Sequence, residues 1–172
     1  MANRYPESPD PGMLEFCQWL EQTSVGTAIR QSLWLFPAIE TVHLLGMAAL
    51  VATVTVLDLR LLGWRARQQS ISQIAARTIP WAWAGFTLQV VTGALLFSSE
   101  AVKIHDNPAF RVKMLLLLSA GVQALIFQTS MSRRLPDWDQ GPSPPAVAKI
   151  MGLTSFLLWV GIVTAGRFIG FV

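Results

Sequence analysis

The feature that most constrains this chain is a long, mostly apolar run at residues 33–63, LWLFPAIETVHLLGMAALVATVTVLDLRLLG. A bilayer core of about 30 Å is crossed by a helix of roughly 20 apolar residues, and this run is long enough. Three further apolar stretches, residues 79–99, 110–131 and 147–169, have comparable lengths. The sequence therefore predicts an all-α fold with four membrane-spanning helices in one bundle.

Composition supports a membrane protein and argues against other classes. Hydrophobic residues make up 52% of the 172 residues and charged residues 13%, whereas soluble domains carry roughly 25% charge. The net charge is only +3, and the basic residues cluster at the ends of the apolar stretches, which is a topology signal and excludes nucleic-acid binding. A single cysteine, Cys17, excludes an internal disulfide framework. We expect the lipid bilayer to be the main partner of this surface.

The chain divides into three parts. Residues 1–12 are rich in proline, serine and acidic residues and are predicted to be a disordered arm. Residues 13–31 have a rough helical stripe of apolar side chains and are too polar to span, so they predict an amphipathic helix. This helix either lies in the membrane interface or docks on the bundle. Residues 32–172 form the four-helix transmembrane domain, in which Pro80 is expected at the start of the second spanning helix.

Basic residues in the loops predict the orientation. The loop after the first span and the loop before the fourth carry most of them: Arg60, Arg65, Arg67, Arg77, Arg133, Arg134 and Lys149. The positive-inside rule places these loops in the cytoplasm and both termini in the periplasm. No cleavable signal peptide is visible, so we expect the first span to direct insertion into the bacterial inner membrane. Asp58 and Arg60, at the cytoplasmic end of that span, are expected to contact each other or lipid headgroups.

Ionisable side chains inside the first span point to a polar site. Glu40 and His43 are three residues apart, and with Met47, Val54 and Asp58 they fall within about 60° on one helix face. Charged groups at membrane depth usually face the bundle interior and find partners there. The other spans place further polar groups at the same outer level: Gln89, Thr92, Gly93, Lys113 and Arg167, with His105 in the second loop.

Several interpretations of this site remain open. In the first, it is a structural charge network without a cofactor, in which Glu40 pairs with Lys113 or Arg167. In the second, His43 is an axial ligand of a haem b used for electron transfer, and basic residues pair with the propionates. In this interpretation the residues that bind the cofactor are His43, Glu40, Lys113, Arg167 and His105. The second axial ligand is His105, Met47 or Met114, or is absent.

In the third interpretation the site handles copper. Imidazole and thioether groups suit this metal, and they predict a ligand set of His43, Met47 and Met114. A redox protein or a metal-delivery protein in the periplasm or membrane is the partner that these two interpretations imply. A non-catalytic subunit of a larger membrane complex is a further possibility. The sequence holds no HExxH motif, phosphate-binding loop or nucleophile elbow that would predict a catalytic residue.

Six short sequence motifs along the chain indicate a resemblance to a known family. FPAIETVHLLG, DLRLLG, PWAWAGF, VVTGALLF, NPAFRVKMLLL and AGRFIG together resemble a family of small, uncharacterised four-helix integral membrane proteins of bacteria. A fainter resemblance links the chain to copper-resistance D-type membrane proteins and haem-dependent protoporphyrinogen oxidases. It rests on the intramembrane His43 and on Phe110 to Lys113 at the start of a helix. This second resemblance implies copper or haem at the outer side.

Overall fold

The structure, a computed structural model, describes residues 11–64, 70–141 and 143–171. These residues form α1 (Pro11–Gln22), α2 (Ser24–Gln31), α3 (Leu35–Leu61), α4 (Ile71–Ile104), α5 (Pro108–Ile126), α6 (Leu135–Asp139) and α7 (Ala146–Phe168). A π-helical segment, Phe127–Met131, and a 3₁₀ turn, Ser132–Arg134, join α5 to α6. No strand occurs in the described ranges. Among the described residues, four helical segments are long and apolar enough to cross a membrane, in agreement with the four predicted apolar helices.

The four long helices run in alternating directions. One end of the bundle, here called the outer end, holds the start of α3, the end of α4, the start of α5 and the end of α7; the other is the inner end. Helix α3 packs against α4 and α7, and α7 packs against α5. Glycines allow the closest approaches: a Cβ on Gly152 of α7 would lie 2.8 Å from the carbonyl oxygen of Asp58 on α3.

Two buried clusters hold the helices together. One lies at the inner end and contains Leu61, Ile71, Ala75, Leu135 and Ala148. The other lies further along the bundle and contains Leu50, Ala120, Trp159 and Ile162. Large apolar side chains elsewhere are exposed, as at Leu44 (61%) and Leu118 (67%). Such an exposed apolar surface on long apolar helices is typical of membrane proteins, in which lipid covers it.

The start of α4 differs from the prediction. The helix begins at Ile71, and Pro80 lies inside it rather than at its first turn, so that prediction was wrong. Asp139 from α6 accepts hydrogen bonds from the backbone N–H groups of Ile71 (2.5 Å) and Ser72 (3.2 Å). These bonds satisfy N–H groups that a helix start leaves without partners. Pro80 is exposed, where its ring is tolerated at the loss of one backbone hydrogen bond.

The N-terminal segment forms two helices rather than the single predicted one. They separate at Thr23, whose hydroxyl accepts a hydrogen bond from the N–H of Gly26 at 3.2 Å. Both pack on α4, and a Cβ on Gly26 would lie only 2.6 Å from the carbonyl oxygen of Ser98. Of the predicted arm, residues 1–10 lie outside the described residues, while residues 11 and 12 belong to α1. The described part of this segment is therefore docked on the outer end of α4.

Candidate functional site

His43 has a defined hydrogen-bonding state at the outer end. Its Nδ1 lies 2.8 Å from the hydroxyl oxygen of Thr92 on α4. That hydroxyl donates its only proton to the carbonyl oxygen of Leu88, at 2.7 Å, and therefore accepts from His43. Neutral His43 must then carry its proton on Nδ1. The lone pair on Nε2 is left available for a metal or for a hydrogen-bond donor.

The helix contact around His43 is close and polar. The side-chain amide of Gln89 donates a hydrogen bond to the carbonyl oxygen of His43 at 2.8 Å. Gly46 provides room for this amide, since a Cβ there would lie 2.8 Å from Nε2 of Gln89. On the other side, a Cβ on Gly93 would lie 3.4 Å from Cε1 of the imidazole. The expected grouping of His43 with Gln89, Thr92 and Gly93 is confirmed, and it fixes the ring against α4.

Lys113 reaches the same region from α5. Its side chain is half-buried and lies against Gly166 of α7, where a Cβ would be 3.6 Å from Nζ. His43 lies within electrostatic reach of this ammonium group. Within the described ranges, no carboxylate forms an ion pair with its Nζ. The site thus combines an imidazole lone pair with a cation that lacks an anionic partner among these residues.

Glu40 and Arg167 do not form the predicted ion pairs. Glu40 is exposed on α3, and none of the described basic side chains lies within ion-pair distance of it. Arg167 is exposed at the end of α7, where its guanidinium stacks over the ring of Phe171 at 5.2 Å. The predicted network of Glu40 with Lys113 or Arg167 is therefore wrong in this part of the chain. The spacing of residues along a helix predicts the direction in which their side chains point, but it does not predict how far neighbouring helices cover them.

The other candidate ligands divide between two places. Met47 is half-buried one turn below His43 on the same face of α3. His105 and Met114 instead line a surface cleft beside Met13 of α1. Nδ1 of His105 forms a hydrogen bond with the carbonyl oxygen of Val102 (2.7 Å), while Nε2 lies 2.9 Å from a carboxylate oxygen of Asp106 without hydrogen-bond geometry. Met47 is thus the candidate partner that shares the face of His43.

Asp58 and Arg60 also differ from the prediction that they contact each other or lipid headgroups. Both are buried, with 3% and 8% of their surfaces exposed. Residues two positions apart on an α-helix point about 200° apart around its axis, so the side chains of Asp58 and Arg60 leave α3 in nearly opposite directions. Asp58 accepts a hydrogen bond from Ser155 of α7, and Arg60 lies within electrostatic reach of Asp139 on α6. The sequence placed Asp58 on the inward stripe but did not show that it was fully covered.

Comparison with protein families shows that residues 16–172 match a family of unknown function, DUF6644. The chain belongs to the DUF6644 family. This agrees with the expected resemblance to an uncharacterised family. Comparisons of this DUF6644 member with curated proteins and with solved structures give no match. Within the described ranges, this DUF6644 chain also brings no three His, Cys, Asp or Glu side chains together as a metal site.

Proposed function

We propose that this protein binds a haem b at the outer end of the bundle and uses it for electron transfer in the membrane, with Nε2 of His43 as an axial ligand. The observation that carries the proposal is the hydrogen bond from Nδ1 to Thr92. Histidines that bind metals commonly donate their second N–H to a neighbouring oxygen, which fixes the ring and the tautomer. Thr92 serves this role here, because its own proton is directed to Leu88.

The charge of Lys113 favours haem over a bare metal ion. A cation without an anionic partner at membrane depth is costly, and a ligand with negative charge reduces that cost. Haem supplies both a metal for the lone pair of His43 and carboxylates for Lys113. The chemistry that the group supplies is one-electron transfer at the iron. The protein contributes the ligand, the ring orientation and the charge beside the site.

A spectrum of the purified protein tests the proposal. Protein from haem-replete cells should show a Soret band, and His43→Ala should reduce it at least tenfold. The chain has only two histidines, so His105→Ala is a matched control that should keep the band. A colourless wild-type preparation would overturn haem binding, and an unchanged band in His43→Ala would overturn the assignment of the ligand. Thr92→Val should keep the haem and shift its reduction potential.

Copper handling is a second candidate because Met47 lies one turn from His43 on the same half-buried face. A thioether and an imidazole at that spacing suit Cu⁺. Because one imidazole and one thioether form a single copper site, metal analysis of copper-loaded protein should give about one ion per chain. The stoichiometry should fall in both His43→Ala and Met47→Leu. Lys113 opposes this candidate, since a bare cation beside it is repelled.

We further infer that the protein lies in the bacterial inner membrane with both termini on the periplasmic side. The support is a small excess of basic residues in the sequence around the loops after α3 and before α7. Seven lie there, Arg60, Arg65, Arg67, Arg77, Arg133, Arg134 and Lys149, against five near the outer end, Arg30, Lys103, Arg111, Lys113 and Arg167. In this orientation the outer end faces the periplasm. A periplasmic or membrane redox protein is then the partner that exchanges electrons with the site at His43. An accessory role in a larger membrane complex is compatible with the same placement.

A further inference from the structure

A second polar site lies near the inner end, inside a cavity between α3, α4, α5 and α7. Its volume is about 120 Å³, and most of its wall is apolar. Asp58 is the one ionisable group among the described residues that line it. Ser155 donates one hydrogen bond to the carboxyl group, while Oδ2 of Asp58 has no hydrogen-bond partner. A buried carboxyl in such surroundings requires either a proton or a cationic partner.

Other described charges do not supply that partner. Arg60 leaves α3 on the side that faces Asp139 of α6, and it is not part of the cavity wall. Arg77 on α4 and Lys149 on α7 are exposed and also lie outside the wall. The cavity therefore holds a single acidic group that faces neutral side chains.

The cavity also presents a second free acceptor. Gln123 on α5 donates through Nε2 to the carbonyl oxygen of Met151 at 2.7 Å, which leaves its buried Oε1 without a hydrogen-bond partner. Two buried oxygens that lack donors, Oδ2 of Asp58 and Oε1 of Gln123, thus line one space. Leaving such acceptors unsatisfied costs free energy. A ligand with several N–H donors and a positive charge would satisfy both.

Aromatic rings complete the wall. Trp83 and Phe86 from α4, Phe127 beyond α5, and Trp159 from α7 all line the cavity. Aromatic faces attract organic cations and also accommodate an apolar body. An engineered apolar cavity of about 150 Å³ binds benzene, so a space of this size suits a ligand of roughly five or six non-hydrogen atoms. Trp83 is 42% exposed, and Ala124 on the facing part of α5 is also exposed, so the cavity reaches the lipid-facing surface between these helices.

We propose that this cavity binds a small primary alkylammonium ion, with Asp58 as its counter-ion and Gln123 as a second acceptor. The ligand enters from the side of the bundle between α4 and α5. This site is separate from the site at His43 and does not depend on haem or copper.

Calorimetry on the full chain in neutral detergent tests the proposal, with n-butylammonium as the probe and 1-butanol as its neutral counterpart. The wild type should bind butylammonium at one site per chain and bind butanol at least tenfold more weakly. Asp58→Asn keeps the shape of the side chain and should weaken butylammonium binding at least tenfold. Asp137→Asn, which removes an exposed carboxylate from α6, is the matched control and should bind like the wild type.

A second variant keeps the proposal testable if Asp58→Asn does not fold. Gly121 lines the cavity, and a Cβ there would meet no atom within 4 Å, so Gly121→Leu adds a side chain without a clash at its base. It retains Asp58 and should block binding by filling the space. Absence of binding to the wild type, equal binding of butanol and butylammonium, or undiminished binding by either variant would overturn the proposal.

Discussion

At the scale of single residues, Gly152 is the position where the smallest change should have the largest structural effect. A Cβ there would lie 2.8 Å from the carbonyl oxygen of Asp58 and 3.0 Å from Cβ of Leu61, so α3 and α7 must separate. We expect Gly152→Ala to cost about 1–3 kcal/mol, as overpacking does in other cores. The melting temperature in detergent should fall by several degrees. In Gly121→Ala the new Cβ meets no neighbour, so this control should leave the melting temperature unchanged or raise it. A Gly152→Ala variant that melts at the same temperature as the wild type would contradict this account.

The residues of the outer site could be predicted only in part. Helical spacing and the antiparallel order of the spans predicted that Gln89, Thr92 and Gly93 would lie at the same level as His43, and the structure brings all three into contact with it. The same spacing predicted that Glu40 would face inward, but the structure leaves it exposed. Periodicity fixes the angle of a side chain around its helix. It does not specify which parts of that helix its neighbours cover.

At the scale of elements, contacts between distant residues decide where α4 begins and how it ends. Asp139 holds the N–H groups of Ile71 and Ser72 from a position 68 and 67 residues away. Near the other end, Glu21 accepts from the N–H of Val102, 81 residues away. Local patterns gave the apolar length of this helix but not these bonds. For this reason the predicted helix was shorter at both ends than the observed one.

Glu21 should therefore control the attachment of α1 and α2 to α4. Its Oε1 accepts from Val102 just after the non-helical backbone at Glu100, and its Oε2 pairs with Arg30 at 2.9 Å. Arg30 is partly exposed, so most of the effect should come from the N–H left without its acceptor, at about 1–3 kcal/mol. A free energy of that size corresponds to hydrogen exchange around Val102 that is roughly five- to 150-fold faster in Glu21→Ala. The exposed Glu15→Ala is the control and should leave exchange unchanged; unchanged exchange in Glu21→Ala would exclude this role.

At the scale of the whole molecule, hydropathy predicts the number of spans but not the spaces between them. The four apolar stretches specify four helices, whereas the packing of α3 on α4 and α7, and of α7 on α5, depends on glycines such as Gly85 and Gly152. The cavity around Asp58 follows from that arrangement. Its sequence signal was limited to isolated polar residues, Asp58, Gln123 and Ser155, in three different spans.

The orientation of the whole bundle can be tested with its single cysteine. Cys17 has no exposed surface, and burial together with the nearby carboxylates of Glu21 and Asp106 raises the pKa of its thiol. Since a raised pKa keeps the group protonated at neutral pH, and only the thiolate is reactive, the wild type should not react with an impermeant maleimide. It therefore provides an unlabelled background for introduced cysteines.

Lys103→Cys, at an exposed position near the outer end, and Ser143→Cys, at an exposed position between α6 and α7, then report on opposite faces of the membrane. If the basic residues hold the inner end in the cytoplasm, Lys103→Cys should be labelled in intact spheroplasts and Ser143→Cys only after lysis. The reverse pattern would invert the bundle and place the site at His43 on the cytoplasmic side. Only α5 lies between these two positions. Labelling of both in intact spheroplasts would place them on the same side of the membrane, so α5 would not cross it and a four-span topology would be excluded.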